Sequence, residues 1–300
     1  MSPVSPETDG SPMDLILNFV PTGMLPTKAD NPHVPVTIEE ILADIAAVQQ
    51  LGITMVHVHV RDAAQQPTLD TGFYAELVSG IREIDPQLVV CVSCSGRRSP
   101  ELAARRLPLT LTGNAKPDLA SLTLSSLNFT RQASITSPET LTGLATEMLR
   151  HGIVPEIEIF DTGMMNVLRY LREHGNIHDP CYINLILGNI ASAQCEPGVL
   201  GLLLGQLPPG ALWSLGGIGS VQLPANALGI ALGGGVRVGL EDNLFFDQAR
   251  QQPATNLSLV ERVHSLARIH RRKIMSPADF RSRLRLLPGH GSYGREPISI

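Results

Sequence analysis

Two histidines separated by a single residue are the side chains of this sequence best suited to chemistry. His57 and His59 lie in the apolar segment Met55–Val60, which has the composition of a β-strand. Because residues two apart on a strand project from the same face, both imidazoles point in the same direction. Neutral imidazoles held this close suit a divalent transition metal such as zinc. Two buried histidines that only form hydrogen bonds are the alternative that this motif leaves open.

A second polar segment, Arg237–Asn243, ends another apolar run late in the chain. Arg237 and Glu241 share one face of a strand, and the pair Glu241-Asp242 stands at its C-terminal tip. If this is the eighth strand of a closed barrel and the histidines lie on the second, both strands flank the first, and Glu241 can join the two histidines at one metal. Two histidines and one carboxylate are typical of a catalytic rather than a structural zinc site. The alternative is that Glu241 and Asp242 form a solvated helix N-terminus.

Acidic and hydroxyl side chains mark three more predicted strands. Glu156 and Glu158 both point into the barrel, where buried carboxylates need partners or shifted pKa values and are therefore candidates for acid–base chemistry. The alternative is a structural ion pair within the barrel, for example with Arg237. Ser93 and Ser121 lie near strand ends, where hydroxyls can bind a substrate carboxylate or carbonyl but also occur as ordinary polar lining.

Strands and helices must bring these side chains together, and the sequence alternates the two. Helical signals include a capping box at Thr37–Glu40, Ser-Pro-Glu starts at Ser99 and Ser137, and a last long helix from Ser258 to Arg272. Eight apolar runs have the near-continuous pattern of strands buried on both faces. These runs are Leu15–Val20, Met55–Val60, Leu88–Ser93, Leu119–Leu124, Val154–Phe160, Tyr182–Leu187, Leu212–Ile218 and Gly235–Leu240.

Alternating strands and helices predict a parallel sheet covered by helices, which is the α/β class. Eight such units over roughly 260 residues favour a (β/α)8 TIM barrel. An open dinucleotide-binding sheet would need G-x-G-x-x-G after its first strand, and the segment Val20–Met24 lacks it. The sequence therefore predicts a flexible N-terminal tail over residues 1–13, one barrel domain over 14–286 and a C-terminal arm over 287–300.

Composition and charge argue against several classes of protein. The 300 residues are 43% hydrophobic and 17% charged, which provides enough apolar material for a large core. The 23 basic and 28 acidic residues give a net charge of −5, which argues against nucleic-acid binding. No apolar run is long enough for a membrane span, the first thirteen residues lack the features of a secretory signal, and four cysteines do not make a disulfide framework. These features predict a cytoplasmic protein with neither nucleic acid nor membrane as a partner.

Two segments resemble those of a known family. His57–Asp62 and the segment G-G-G-V-R-V-G-L-E-D-N, which ends at Asn243, are similar to motifs of the β-keto acid cleavage enzymes. The likeness also includes residues 27–37, 122–129 and 155–161, so that it extends over nearly the whole chain. It implies a zinc-dependent barrel, usually a tetramer, that condenses a β-keto acid with acetyl-CoA and releases acetoacetate and a new acyl-CoA.

The resemblance also implies three groups of site residues. The ligands of one zinc ion per chain are His57, His59 and Glu241. The catalytic residues are Arg237, Asp242 and Glu158. The substrate-binding residues that match the family are Ser93 and Ser121. Arg97 stands where the family often has a glycine beside such a hydroxyl, and we predict that it also contributes to substrate binding. Because an adjacent cation lowers the pKa of a carboxyl group, we expect Arg237 to keep Asp242 or Glu158 ionised, with Asp242 as the expected base.

One departure from the family concerns the tail of the substrate. Members that cleave an aminated keto acid have an acid after the first strand that holds the amine. The matching segment Thr22–Pro26 contains no acid, and Leu25 occupies about that place. Because an ammonium group there would lose its hydration without gaining a partner, the sequence favours an uncharged tail over an aminated one.

Two other functions remain open at the level of sequence. A metal-dependent barrel hydrolase that activates a zinc-bound water also uses H-x-H on an early strand. Such hydrolases usually add ligands from later strands, and no histidine lies on a late predicted strand of this chain. A non-catalytic binding protein that retained the barrel is disfavoured because the metal-type residues and the Arg-Asp pair are all intact.

Overall fold

Eight parallel strands close into a barrel that is covered by helices. The structure is a computed structural model, and it describes residues 13–297. The strands are β1 (Leu17–Phe19), β2 (Met55–Val58), β3 (Val89–Val92), β4 (Leu119–Thr123), β5 (Val154–Ile159), β6 (Tyr182–Leu187), β7 (Leu212–Gly217) and β8 (Gly235–Val238). Each strand pairs with the next along the chain, and β8 pairs with β1. The predicted α/β class and (β/α)8 TIM barrel are confirmed.

Helices follow most of the strands and cover the outside of the barrel. They are α1 (Ile38–Gln49), α2 (Thr71–Ile84), α3 (Leu102–Arg105), α4 (Pro138–His151), α5 (Thr162–Glu173), α6 (Pro197–Leu204), α7 (Gln222–Ala231), α8 (Asn256–Ile269) and α9 (Pro277–Leu284). Thr37 caps α1 in the predicted capping box with Glu40, and the side chain of Ser137 caps α4. Between residues 13 and 297, none of the helices combines the length and the apolarity that a membrane crossing requires.

Three helices differ from the prediction. The N-cap of α3 is Glu101, without a side-chain cap bond, rather than Ser99. Helix α8 begins two residues before the predicted Ser258, because Thr255 forms a capping box with that serine. Helix α9 was not predicted, although Ser276 caps it in the same way that Ser137 caps α4.

The alternation of side chains along β2 separates two regions of the interior. Val56 and Val58 belong to the apolar layer between the strands and the helices. Met55 points into the barrel and packs in a second apolar cluster with Val89 from β3. His57 lies on the same inward face, one step nearer the C-terminal end of the strand. The barrel is therefore filled by apolar side chains at the bottom and by polar side chains above them.

The last described residues are fastened to the N-terminal ends of the strands. Asp118, which precedes β4, forms ion pairs with Arg82 at 2.9 Å and with Arg281 at 2.7 Å. The backbone N–H of Gly294 donates to the same carboxylate at 3.0 Å. Residues 287–297 of the predicted C-terminal arm are thus tied to the barrel. All but the last residue of the predicted 1–13 tail lies outside the described residues, and the division into domains stays a prediction.

Candidate active site

The three residues predicted to bind a metal lie together at the C-terminal ends of the strands. His57 lies on β2, His59 is the first residue after that strand, and Glu241 follows β8. The Nε2 atoms of the two histidines are 3.3 Å apart, and Nε2 of His59 is 3.3 Å from Oε1 of Glu241. Because β2 and β8 both pair with β1, closure of the barrel brings together residues that are far apart in the chain.

The donor atoms of these residues fit a divalent metal ion. They lie within 4.8 Å of one another. Oε2 of Glu241 is buried and has no hydrogen-bond partner among the described residues, which is unfavourable unless a ligand satisfies it. Two imidazoles and one carboxylate are a donor set that zinc accepts, with a coordination position left for a substrate or water.

A carboxylate beneath His57 fixes the orientation of its ring. Nδ1 of His57 is hydrogen-bonded to Oε2 of Glu156, which leaves Nε2 directed at the other donor atoms. Asn18 and Asn184 each donate to Oε1 of Glu156 at 2.6 Å, and the Cys91 thiol donates to Oε2 at 3.0 Å. A carboxylate in this position selects the tautomer of a metal-binding histidine and raises its basicity. Residue type and face had indicated Glu156 as a candidate for acid–base chemistry or for a structural ion pair, and not as the partner of His57.

Arg237 connects the predicted catalytic residues. Its Nη2 is 2.7 Å from Oε1 of Glu241, and its Nε donates to Oδ2 of Asp242 at 2.8 Å. Nη1 lies 3.9 Å from Oε1 of Glu158 and has no hydrogen-bond partner in the described part of the chain. The hydroxyl of Thr123 donates to the other oxygen of Glu158. Arg237, Asp242 and Glu158 therefore lie in one ionic network beside the metal-type residues.

Two glycines allow the backbone to approach this network closely. A Cβ atom at Gly23, in the loop after β1, would lie 2.6 Å from Cγ of Glu241. Gly239 follows β8, and a Cβ atom there would lie 2.1 Å from the carbonyl oxygen of Val20. Any side chain at either position would force the loop or the carboxylate to move. The sequence did not indicate the importance of Gly23, because the closeness of the loop to Glu241 appears only in three dimensions.

Burial and neighbouring charges act in opposite directions on the ionisable groups. Burial disfavours the imidazolium of His57, but Glu156 and Glu241 outweigh it and raise its pKa to about 9. Burial and the negative charge of Glu241 raise the pKa of Asp242 above its usual value, although Arg237 acts in the opposite direction. The expected net lowering of this pKa is not found: Arg237 acts in that direction, but it also pairs with Glu241, and Asp242 is buried beside that second carboxylate.

A cavity of about 600 Å³ opens above these residues. Its wall includes the predicted substrate-binding residues Ser93, Ser121 and Arg97 together with His59, Glu158, Arg237, Glu241 and Asp242. The hydroxyl oxygen of Ser93 accepts from the N–H of Ser95 at 3.2 Å, and that of Ser121 accepts from the N–H of Cys94 at 3.0 Å. Among the described residues, neither hydroxyl donates a hydrogen bond, so both protons remain available to a ligand.

A short hairpin that was not predicted completes the wall of the cavity. It pairs Leu127–Asn128 with Ala133–Ser134, and Phe129 at its tip faces the cavity. Arg105 fixes the loop after β3 beside it by donating to the Cys94 carbonyl at 2.7 Å. Two-residue strands produce no periodic pattern, so the sequence contained no signal for this element.

Known proteins resemble the chain over nearly its full length. Residues 14–286 match the family model described as beta-keto acid cleavage enzyme. The chain is 34% identical over 285 residues to the 3-oxoadipate:acetyl-CoA acetyltransferase of Cupriavidus necator, covering 94% of this chain and 98% of that protein. It is 32% identical over 273 residues to the 3-keto-5-aminohexanoate cleavage enzyme of Fusobacterium nucleatum, covering 91% and 98%.

A solved structure shares the fold at lower identity. The ternary complex of ObcA with C4-CoA adduct and oxalate superimposes with a TM-score of 0.73 at 21% identity, over 85% of this chain and 68% of that chain. This likeness supports the barrel alone. The sequence matches confirm the predicted family and the prediction of an enzyme, and the chain belongs to the β-keto acid cleavage enzyme family.

Proposed function

We propose that this enzyme transfers the acyl group of a β-keto acid to CoA in a metal-dependent reaction with acetyl-CoA. The substrate R–CO–CH2–COO⁻ and acetyl-CoA give R–CO–SCoA and acetoacetate. The acetyl group forms a bond to C2 of the keto acid, the bond between C2 and C3 breaks, and the CoA sulfur passes from the acetyl group to the acyl group. The observation that carries the proposal is the meeting of His57, His59 and Glu241 at one place, where His59, Glu241 and the neighbouring Asp242 line the cavity.

His57, His59 and Glu241 would hold the metal, which the resemblance identifies as one zinc ion per chain. The buried and unpartnered Oε2 of Glu241 supports this assignment. When bound, a divalent metal would act as a Lewis acid on the keto oxygen and make the adjacent carbon easier to deprotonate. Glu156 holds His57 in the tautomer that presents Nε2 to the site.

Asp242 is the proposed base. It directly follows Glu241 and lines the cavity without being one of the three donors. Two hydrogens are present on C2 in both the substrate and acetoacetate, so the proton that a base removes must be returned when the bond between C2 and C3 breaks. A carboxyl group whose pKa is raised by burial and by Glu241 suits both the acceptance and the return of this proton.

Arg237 is the proposed electrostatic partner of the reaction. Its Nε orients Asp242, and its unpartnered Nη1 is a fixed donor at the floor of the cavity. A buried donor held in place before the reaction can stabilise an oxygen that becomes negative, at no cost in reorganisation. Glu158 lies 3.9 Å from this nitrogen and would hold the guanidinium in position. The hydroxyls of Ser93 and Ser121 would bind the substrate carboxylate.

A substrate screen tests the proposal. The purified, metal-loaded protein is incubated with acetyl-CoA and a panel of β-keto acids, and acetoacetate and the new acyl-CoA are measured by mass spectrometry. We expect both products in equal amounts and neither product without acetyl-CoA. Cleavage of a keto acid without acetyl-CoA would indicate a metal-dependent hydrolase and contradict the proposal.

Zinc, a tetrameric assembly and a cytoplasmic location stay predictions. Zinc follows from the two histidines and the carboxylate as well as from the family resemblance, the tetramer follows from the resemblance, and the location follows from composition. Elemental analysis of the protein purified without added metal identifies the ion. Light scattering combined with size-exclusion chromatography measures the mass of the assembly against the 32.3 kDa of one chain.

A further inference from the structure

The guanidinium of Arg97 faces the cavity and has no hydrogen-bond or ion-pair partner among residues 13–297. Its Cζ atom lies 3.5 Å from the ring centroid of Phe129, and Phe129 packs edge-on against Phe160 at 6.0 Å. The aromatic ring covers one face of the planar guanidinium, while the N–H groups project within its plane. Arg105, by contrast, uses its guanidinium to hold the loop after β3. The donors of Arg97 therefore remain for a ligand.

Each acid that lines the cavity already has a partner in the protein. The pairs are Glu241 and Asp242 with Arg237, Glu158 with Thr123, and Asp30 with Thr27. Arg131 and Arg250 are exposed residues of the same wall and add further positive charge. Burial lowers the pKa of Arg97, and the charges of Glu241, Glu158 and Asp242 offset this only in part. Because a partly buried guanidinium without a direct partner is unfavourable, the region around Arg97 is complementary to a negatively charged group.

The carboxylate that all β-keto acids share does not account for Arg97. That group is one carbon away from the keto group and would lie near the metal-type residues. Nη1 of Arg237 and the hydroxyls of Ser93 and Ser121 are unused donors at that place. The guanidinium of Arg97, which has no partner at all among the described residues, therefore indicates a second anionic group on the ligand. A carboxylate matches the two parallel N–H donors of a guanidinium.

We propose that Arg97 binds a carboxylate at the far end of the substrate tail, so that the substrate is a β-keto dicarboxylic acid. This inference rests on the proposed function and names its substrate class. It agrees with the absence of an acid at Leu25 that would hold an ammonium group. It places a negative charge at the end of the tail, where the sequence alone favours an uncharged group.

Matched substrates test the inference. 3-Oxoadipate and 3-oxohexanoate have the same six-carbon chain and differ in a terminal carboxylate or methyl group, and 3-oxopimelate and 3-oxoheptanoate form the same pair with seven carbons. We expect the wild-type enzyme to prefer the dicarboxylic member of at least one pair by about 10- to 100-fold in kcat/KM, the value of a charge-assisted hydrogen-bond pair. Arg97→Met should remove this preference, because its loss in kcat/KM should fall mainly on the dicarboxylic member of each pair.

Arg98→Met is the matched control, because Arg98 is exposed, donates to Gln66 and does not line the cavity. It should leave both classes of substrate unchanged. A wild-type preference for monocarboxylic acids overturns the inference. An equal loss for both classes in Arg97→Met also overturns it, because Arg97 would then act on the common carboxylate or on acetyl-CoA.

Binding measurements separate this inference from the proposed function. Calorimetry without acetyl-CoA compares the affinities of 3-oxoadipate and 3-oxohexanoate for wild type and for Arg97→Met. If no keto acid is turned over but the preference for the dicarboxylate depends on Arg97, the proposed reaction fails and the binding site stands. If keto acids are turned over and wild type shows no preference for either dicarboxylate, the reaction stands and the inference fails.

Discussion

Replacement of Gly23 with alanine tests whether the metal-type residues depend on the close approach of the loop after β1. The added Cβ would lie 2.6 Å from Cγ of Glu241 and 3.3 Å from its Cδ. Because nonbonded carbon atoms settle at about 3.5–4.0 Å, the loop or the carboxylate side chain must move by about 1 Å. Glu241 cannot move freely, since Arg237 holds its Oε1 at 2.7 Å and the same oxygen lies 3.3 Å from His59.

This displacement sets the expected magnitude. Loss of a contact that supports a metal ligand typically costs about 10- to 100-fold in metal affinity. A misplacement of about 1 Å in an active site can cost about 100-fold in rate. We therefore expect Gly23→Ala to bind metal more weakly and to lose kcat/KM by these factors. Metal affinity is measured by competition with a chelator of known affinity, and kcat/KM is measured from acetoacetate formation.

Gly201→Ala provides a matched glycine substitution. Gly201 lies in α6, and a Cβ atom there meets no atom outside its own helix within 4 Å. This variant should retain the metal affinity and the turnover of wild type. If Gly23→Ala binds metal and turns over as wild type does, the steric contact with Glu241 has no functional consequence and the reasoning is refuted.

Three other substitutions separate the roles of the buried ionisable groups. His57→Ala removes a donor atom, so elemental analysis should find most of the metal gone; a wild-type metal content would contradict the ligand assignment. Asp242→Asn should keep its metal and fold but lose about 10²- to 10⁴-fold in kcat, whereas loss of the metal would make Asp242 a ligand. Burial disfavours the charged form of Asp118, but Arg82 and Arg281 outweigh burial and hold its pKa below 3.8. The ionised carboxylate therefore stabilises the folded protein above pH 3.8, and this contribution is lost as the pH falls through the folded-state pKa. Asp118→Asn should lower the free energy of unfolding at pH 7 by about 3–5 kcal/mol and weaken the dependence of this free energy on pH below 3.8. Urea unfolding at several pH values measures both effects. An unchanged pH dependence would show that Asp118 is not the titrating group.

The barrel could be predicted because each buried parallel strand is visible in the sequence as a short apolar run. A strand covered on both faces needs apolar side chains at nearly every position, and β6 extends over the same residues, Tyr182–Leu187, that the apolar run marked. Closure of the barrel then followed from the number of strands. The meeting of β2 and β8 residues at one place required no further information, because both strands neighbour β1.

Local helix signals were less reliable, because the same Ser-Pro-Glu sequence caps a long helix at one place and does not cap a helix at another. Ser99 and Ser137 each precede Pro and Glu, yet only Ser137 caps its helix. Fourteen residues with a buried apolar face follow Ser137, and packing of that face stabilises the helix. After Ser99, α3 has only four residues before the chain continues into a 3-10 turn at Leu107–Thr110. A helix this short buries too little apolar surface to be stabilised by packing in the same way.

The two acids of β5 show which property of a site residue the sequence does not determine. Glu156 and Glu158 have the same residue type and share one face of the strand, yet their surroundings differ. Glu156 is fully buried against His57, while Glu158 reaches the cavity and contacts Thr123 and Arg237. A step of two residues moves a side chain by about 6.6 Å along a strand, which carries it from the packed interior to the cavity wall. The period of a strand fixes the face of a residue, but its depth depends on the register with neighbouring strands. Only the closed barrel therefore distinguishes a carboxylate that orients a metal ligand from one that faces a substrate.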